Sequence, residues 1–151
     1  MKKLLTLGNV IKAGAVLFAL IAFFMMFTKQ LYVELLGNKG YVDFDDALFG
    51  DYGSVISFIG YLFILLSALG VCALVFLGLD AKIKKLVNLG LAGLIFLSAI
   101  FVFIEAAVVN GRTDTSAYHL AGGPIVAGIF AIIAALAIAA SEFVPEKQLV
   151  K

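Results

Sequence analysis

Tryptophan is absent from this 151-residue chain, cysteine and histidine occur once each, as Cys72 and His119, and only 14% of residues are charged. Each shortage excludes something. One cysteine cannot form an intrachain disulfide, and one cysteine with one histidine cannot supply a Cys/His metal set. No nucleophile motif, phosphate-binding loop or repeated carboxylate–histidine helix pattern is present, so no enzyme class is indicated and no cofactor is expected. Nothing supports nucleic-acid binding, because a net charge of +1 provides no basic footprint.

What the chain has is apolar length. It is 64% hydrophobic with a mean hydropathy of +1.14, against an apolar share of roughly 45–50% in soluble domains. A hydrocarbon core ~30 Å thick needs about 20 apolar residues in a helix. Four stretches qualify: Val10–Thr28, Gly53–Leu79, Leu86–Val109 and Leu120–Ser141. The expected fold is an all-α membrane protein, a four-transmembrane-helix antiparallel bundle forming a single integral membrane domain. Lys2 and Lys3 precede the first run as they would in a secretory signal, but no small-x-small cleavage site follows, so that run reads as a retained helix. Lys12 reads as an anchor that snorkels to the headgroups. Cys72 reads as filler within the second helix.

Orientation follows the lysines. Lys2, Lys3, Lys12, Lys82, Lys84, Lys85, Lys147 and Lys151 fall on one side, and Lys29, Lys39 and Arg112 on the other. Both termini and the Asp80–Lys85 turn are therefore expected in the cytoplasm of a plasma-membrane protein, with loops 28–53 and 110–119 outside. Tyr32, Tyr41, Tyr52, Tyr61 and Tyr118 sit near the outer side and read as an interfacial belt.

The first outer loop, KQLYVELLGNKGYVDFDDALFGDY, is the one long polar run, with five acidic residues against two basic ones. Leu31–Leu35 and Tyr41–Phe44 are β-prone and separated by Gly37-Asn38-Lys39-Gly40, which predicts a hairpin. Asp43, three residues before Asp46 and ahead of Ala47-Leu48-Phe49, predicts a capped helical turn closed by Gly50. Tyr41, Asp43, Phe44, Asp45, Asp46, Phe49 and Asp51 form the candidate interaction loop, although Phe44, Leu48 and Phe49 also suit packing onto the bundle. The aspartates are of the kind that bind calcium, but DFDDALFGDYGS breaks the EF-hand spacing after its second Asp, so no metal is assigned.

Glu105 lies about one turn below the outer end of the third helix, where an ionisable group implies a role and a partner. Arg112 and His119 are the expected partners, with Ser57, Tyr61 and Asn110 at similar depth; a structural pair pinning helices three and four is the preferred reading. Small residues Ser57, Gly60, Ser67 and Gly70, with Gly90 and Gly93 opposite, predict close approach of helices two and three. Ala127, Ala131, Ala135 and Ala139 make a similar stripe on helix four. In topology alone the chain resembles the claudin-like tetraspan proteins: four helices, cytoplasmic termini, a long first outer loop and a short second one. It lacks that family's loop Trp, Gly-Leu-Trp and two Cys, so neither membership nor a junction role is assigned.

Function is expected to be non-enzymatic: an assembly or interaction subunit in contact with membrane lipid, as a homo-oligomer or with another membrane protein, recognised through loop 28–53. The alternative is a small proton- or ion-coupled transporter or channel subunit centred on Glu105.

Overall fold

The computed structural model describes residues 6–145. Lys2, Lys3, Lys147 and Lys151, which carry part of the charge argument, lie outside the described residues. The elements in order are α1 (Leu7–Phe24) with a 3-10 turn at Met25–Phe27, β1 (Leu31–Leu35), β2 (Asn38–Val42), α2 (Phe44–Phe49), α3 (Val55–Phe76), α4 (Ala81–Phe103), α5 (Glu105–Thr113), β3 (Tyr118–Leu120) and α6 (Gly122–Ser141). Four helical segments are long and apolar enough to cross a membrane: α1 with its 3-10 turn, α3, α4 with α5, and α6. Helix α1 packs on α3 and α6, and α4 packs on the same two, which closes a ring of four.

The ring is built with small residues inside and large ones outside. On α6, Ala127, Gly128, Ala131, Ala134 and Ala135 are buried while Ile125, Ile129, Ile133 and Leu136 are exposed. Helix α1 repeats the pattern, with Ala15, Ala19 and Ala22 inside and Leu17, Phe18, Ile21 and Phe24 outside. In water this distribution would be reversed. Where the surroundings are themselves apolar, burial of bulk brings no hydrophobic gain, and small residues that let backbones approach supply dispersion contacts instead. Gly60 is such a contact, since a Cβ there would stand 3.0 Å from both the Phe101 Cβ and the Ser98 carbonyl oxygen. Gly90 and Gly93 are different: they face outward with nothing near them, so they do not serve the predicted approach of α3 and α4.

Several boundaries move from their sequence-based positions, each for a local reason. The third helix begins at Ala81 rather than Leu86, because the Asp80 carboxylate accepts from the Lys82 backbone N–H at 2.8 Å and starts the helix there. Lys82, Lys84 and Lys85 are therefore helical, and the reversal lies in residues 77–80. The same helix breaks at Ile104, whose ψ of 0° separates α4 from α5. The hairpin loop is only Leu36-Gly37, both at positive φ (52° and 81°), so β2 starts at Asn38 and Phe44 belongs to α2. Positive φ at both central positions is what matches a two-residue loop to strand twist. Tyr118 and His119, expected in the outer loop, and Leu120, expected to start the fourth helix, instead form β3, which pairs with the free edge of β1; the sheet order is β2-β1-β3.

Candidate functional site: the outer layer and its buried polar link

Strand alternation divides the sheet into two faces. Leu31, Val42 and Leu120 align on one face, with Val33 and Tyr118 beside them. This side meets Ala47 of α2 and Val109 of α5 in a small second core, with Ala106 packed against it. The opposite face carries Tyr32 flanked by Tyr41 and His119 in register, and the neighbouring pair Glu34 and Lys39. The Tyr32 ring lies 5.3 Å from that of His119 and 6.3 Å from that of Tyr41, and the Lys39 ammonium sits 4.8 Å from the Tyr32 centroid. Tyr41, Lys39 and His119 are exposed.

The candidate interaction loop divides accordingly. Tyr41 belongs to the exposed aromatic row. Phe44 packs on the main core and edge-on to Phe27 at 5.3 Å. Phe49 remains half exposed but stacks on Phe58 at 4.6 Å. Asp43 occupies the N-cap position of α2, yet its carboxylate pairs with Lys29 rather than capping the helix. Asp45, Asp46 and Asp51 are exposed, and among the described residues no three His, Cys, Asp or Glu side chains converge on a metal-sized site.

Gln30 joins this layer to the bundle. Its backbone extends the sheet, donating to the Val42 carbonyl at 3.1 Å and accepting from the Ala121 N–H at 2.9 Å. Its side chain, fully buried, donates through Nε2 toward the carbonyls of Met25, Met26 and Thr28 at 2.9, 2.8 and 3.0 Å. The Tyr61 hydroxyl, reaching from α3, donates to Gln30 Oε1 at 2.9 Å. Tyr61 is thus a core residue and not part of an interfacial belt. Ser57 donates to the Phe101 carbonyl at 2.9 Å and shares a 2.7 Å bond with Ser54.

Glu105, the first residue of α5, is fully buried. Its expected partners are engaged elsewhere. The Arg112 guanidinium donates to the Gly53 carbonyl, and His119 lies on the sheet's outward face beside Tyr32. Among the described residues neither Glu105 oxygen has a hydrogen-bond partner, and no cation pairs with it. The expected pin between helices three and four is therefore not formed by Glu105. Asn110 instead ties α5 to β3: its Nδ2 donates to the Tyr118 carbonyl at 2.9 Å and its Oδ1 accepts from the Tyr118 N–H at 3.0 Å.

No protein-family model, curated protein or solved structure matches this chain. The likeness to claudin-like proteins therefore rests on topology alone.

At the opposite end of the bundle lies a polar cluster that the sequence reading missed. Lys12 Nζ stands 2.6 Å from Glu142 Oε1, and Asn88 Nδ2 donates to the same oxygen at 2.7 Å, joining α1, α4 and the residue after α6. Lys12 is mostly covered, at 16% side-chain exposure, so it is a clamp and not a free anchor. Lys85 lies 4.2 Å above the Phe143 ring beside it. Gln30 was missed as well; the available signal was a lone neutral amide between an apolar run and a β-prone one.

Proposed function

We propose that the protein is a non-enzymatic, multi-pass protein of the plasma membrane, with an antiparallel bundle, both termini cytoplasmic, and an outer layer that serves as a recognition surface for a second copy or another membrane protein. One observation carries this reading: two loops far apart in sequence are sewn into one sheet whose outward face holds Tyr32, Tyr41, His119 and Lys39 together. Tyrosine rings give large contact area with little rotamer entropy to lose, which is why they concentrate where proteins meet. The exposed Leu, Ile and Phe of α1, α3, α4 and α6 suit lipid contact.

A proton- or ion-coupled reading has the buried Glu105 in its favour. Below it, however, Ile64, Ala68, Ile95, Ala99 and Ala131 fill the bundle and are fully buried, with the hydroxyls of Ser67 and Ser98 as the buried polar groups among them. A conduction path needs polar groups along its depth, so Glu105 suits binding better than conduction. Native mass spectrometry from mild detergent tests recognition directly. Wild type should retain a second copy or a co-purifying membrane protein, and Tyr32→Ala with Tyr41→Ala should lose it while remaining folded. A wild-type protein that is monomeric and alone under all mild conditions refutes the proposal.

A further inference from the structure

The hydrogen bonds of the buried Gln30–Tyr61 link have a direction, and that direction limits what Tyr61 can offer a neighbour. Backbone carbonyls only accept, so the Gln30 atom facing those of Met25, Met26 and Thr28 must be the amide nitrogen. Gln30 Oε1 then faces Tyr61, which must give it the one proton it has. With its proton committed, Tyr61 can offer Glu105 only an oxygen lone pair.

Of the other polar side chains at this end, Ser57 donates to Phe101, Asn110 to Tyr118, Thr113 to Val109 and one Arg112 N–H to Gly53, and among the described residues none of them hydrogen-bonds Glu105. Lys29 pairs with Asp43, His119 and Lys39 lie against Tyr32 on the sheet's outward face, and Tyr118 packs in its inner core; among the described residues no ion pair reaches Glu105. An ionised carboxylate in such a place is strongly disfavoured, because it has lost water and gained neither donors nor a cation. A neutral carboxylic acid avoids that cost of an unpaired buried charge, which is the larger part.

We propose that Glu105 is a proton-binding site: it is held as the neutral acid in the closed structure, and release of its proton is coupled to outward movement of α5 about the break at Ile104. The coupling is mechanical. Ionised Glu105 needs water, and α5 carries both Glu105 and the Val109 that supports the sheet, while Asn110 ties α5 to β3. Closing takes up a proton, so lowering the pH favours the closed outer layer and raising it favours the open one. Neither step requires a partner on the sheet's outward face, so the proposal stands apart from the recognition reading.

Infrared spectroscopy of the full-length protein in lipid vesicles at neutral pH reads the protonation state. A carboxylic-acid C=O band that moves on carbon-13 glutamate labelling and vanishes in Glu105→Gln is expected. Its absence from the wild type overturns the proposal; if the Gln variant fails to fold, Glu105→Asp decides, because the aspartyl carboxyl escapes the glutamate label, and a labelled band that persists there overturns the assignment. Coupling is read with Val109→Cys in a Cys72→Ala background, as the thiol-labelling rate relative to the same cysteine with Glu105→Gln. That ratio should rise several-fold from mildly acidic to mildly alkaline pH; a ratio that stays at one overturns the coupling.

Discussion

Replacing Gly128 by alanine sets two known effects against each other. Gly128 lies inside α6, where helix propensity alone favours alanine by about 1 kcal/mol. Packing opposes it: a Cβ at Gly128 would lie 2.3 Å from Phe103 Cζ and 2.6 Å from both Cε atoms. Favourable carbon contacts begin near ~3.5 Å, so the ring must move by more than an ångström. Phe103 is the last residue of α4, immediately before the Ile104 break, and displacing it disturbs the seat of α5. Overpacking of this kind costs ~1–3 kcal/mol, which outweighs the propensity gain. Gly128→Ala should therefore be destabilising when unfolding is followed in mixed detergent micelles at matched composition. Phe103→Leu, which removes the ring edge that clashes, should relieve part of that loss in the double variant, giving a favourable coupling of ~0.5–3 kcal/mol. A Gly128→Ala protein more stable than wild type, or strict additivity with Phe103→Leu, would refute the contact.

Two further outcomes follow from the ends of the molecule. Glu142→Ala removes the shared acceptor of Lys12 and Asn88 and should cost ~1–3 kcal/mol in the same micelle titration, with Glu142→Gln costing less because it keeps an acceptor for Asn88. Leu36 is fully exposed with φ of 52°, so Leu36→Asn should recover part of the ~1–2 kcal/mol that a left-handed conformation costs an ordinary residue. Urea titration of the outer layer, monitored by tyrosine fluorescence, should show its midpoint move upward.

Apolar length made the four long helices legible, because each run is close to or above the roughly 20 residues that a bilayer-spanning helix needs. The sheet was only half legible. β3 has three residues, too few for alternation to register, and exists because β1 offers an open edge to Tyr118–Leu120. The hairpin loop was misplaced because Gly37, Asn38 and Gly40 all permit turns, and only pairing of Leu35 with Asn38 fixes which residues turn. Glu105 stood out by depth, but its partners were sought among the nearest charges in sequence. The Arg112 guanidinium is held by the Gly53 carbonyl, a backbone acceptor that no side-chain pattern reveals. The Lys12, Asn88 and Glu142 clamp was hidden for a related reason: its members are far apart in sequence and meet only when the ring closes.

Single-cysteine labelling tests the central claim, a membrane-spanning bundle that carries its sheet on the outside and its α3–α4 turn in the cytoplasm. In a Cys72→Ala background, Asn38→Cys in β2 should react with a membrane-impermeant maleimide added to intact cells, and Lys84→Cys in α4 should react only after the membrane is opened. The reverse pattern would overturn the orientation, and labelling of both sites from outside would overturn the bundle's place in the membrane.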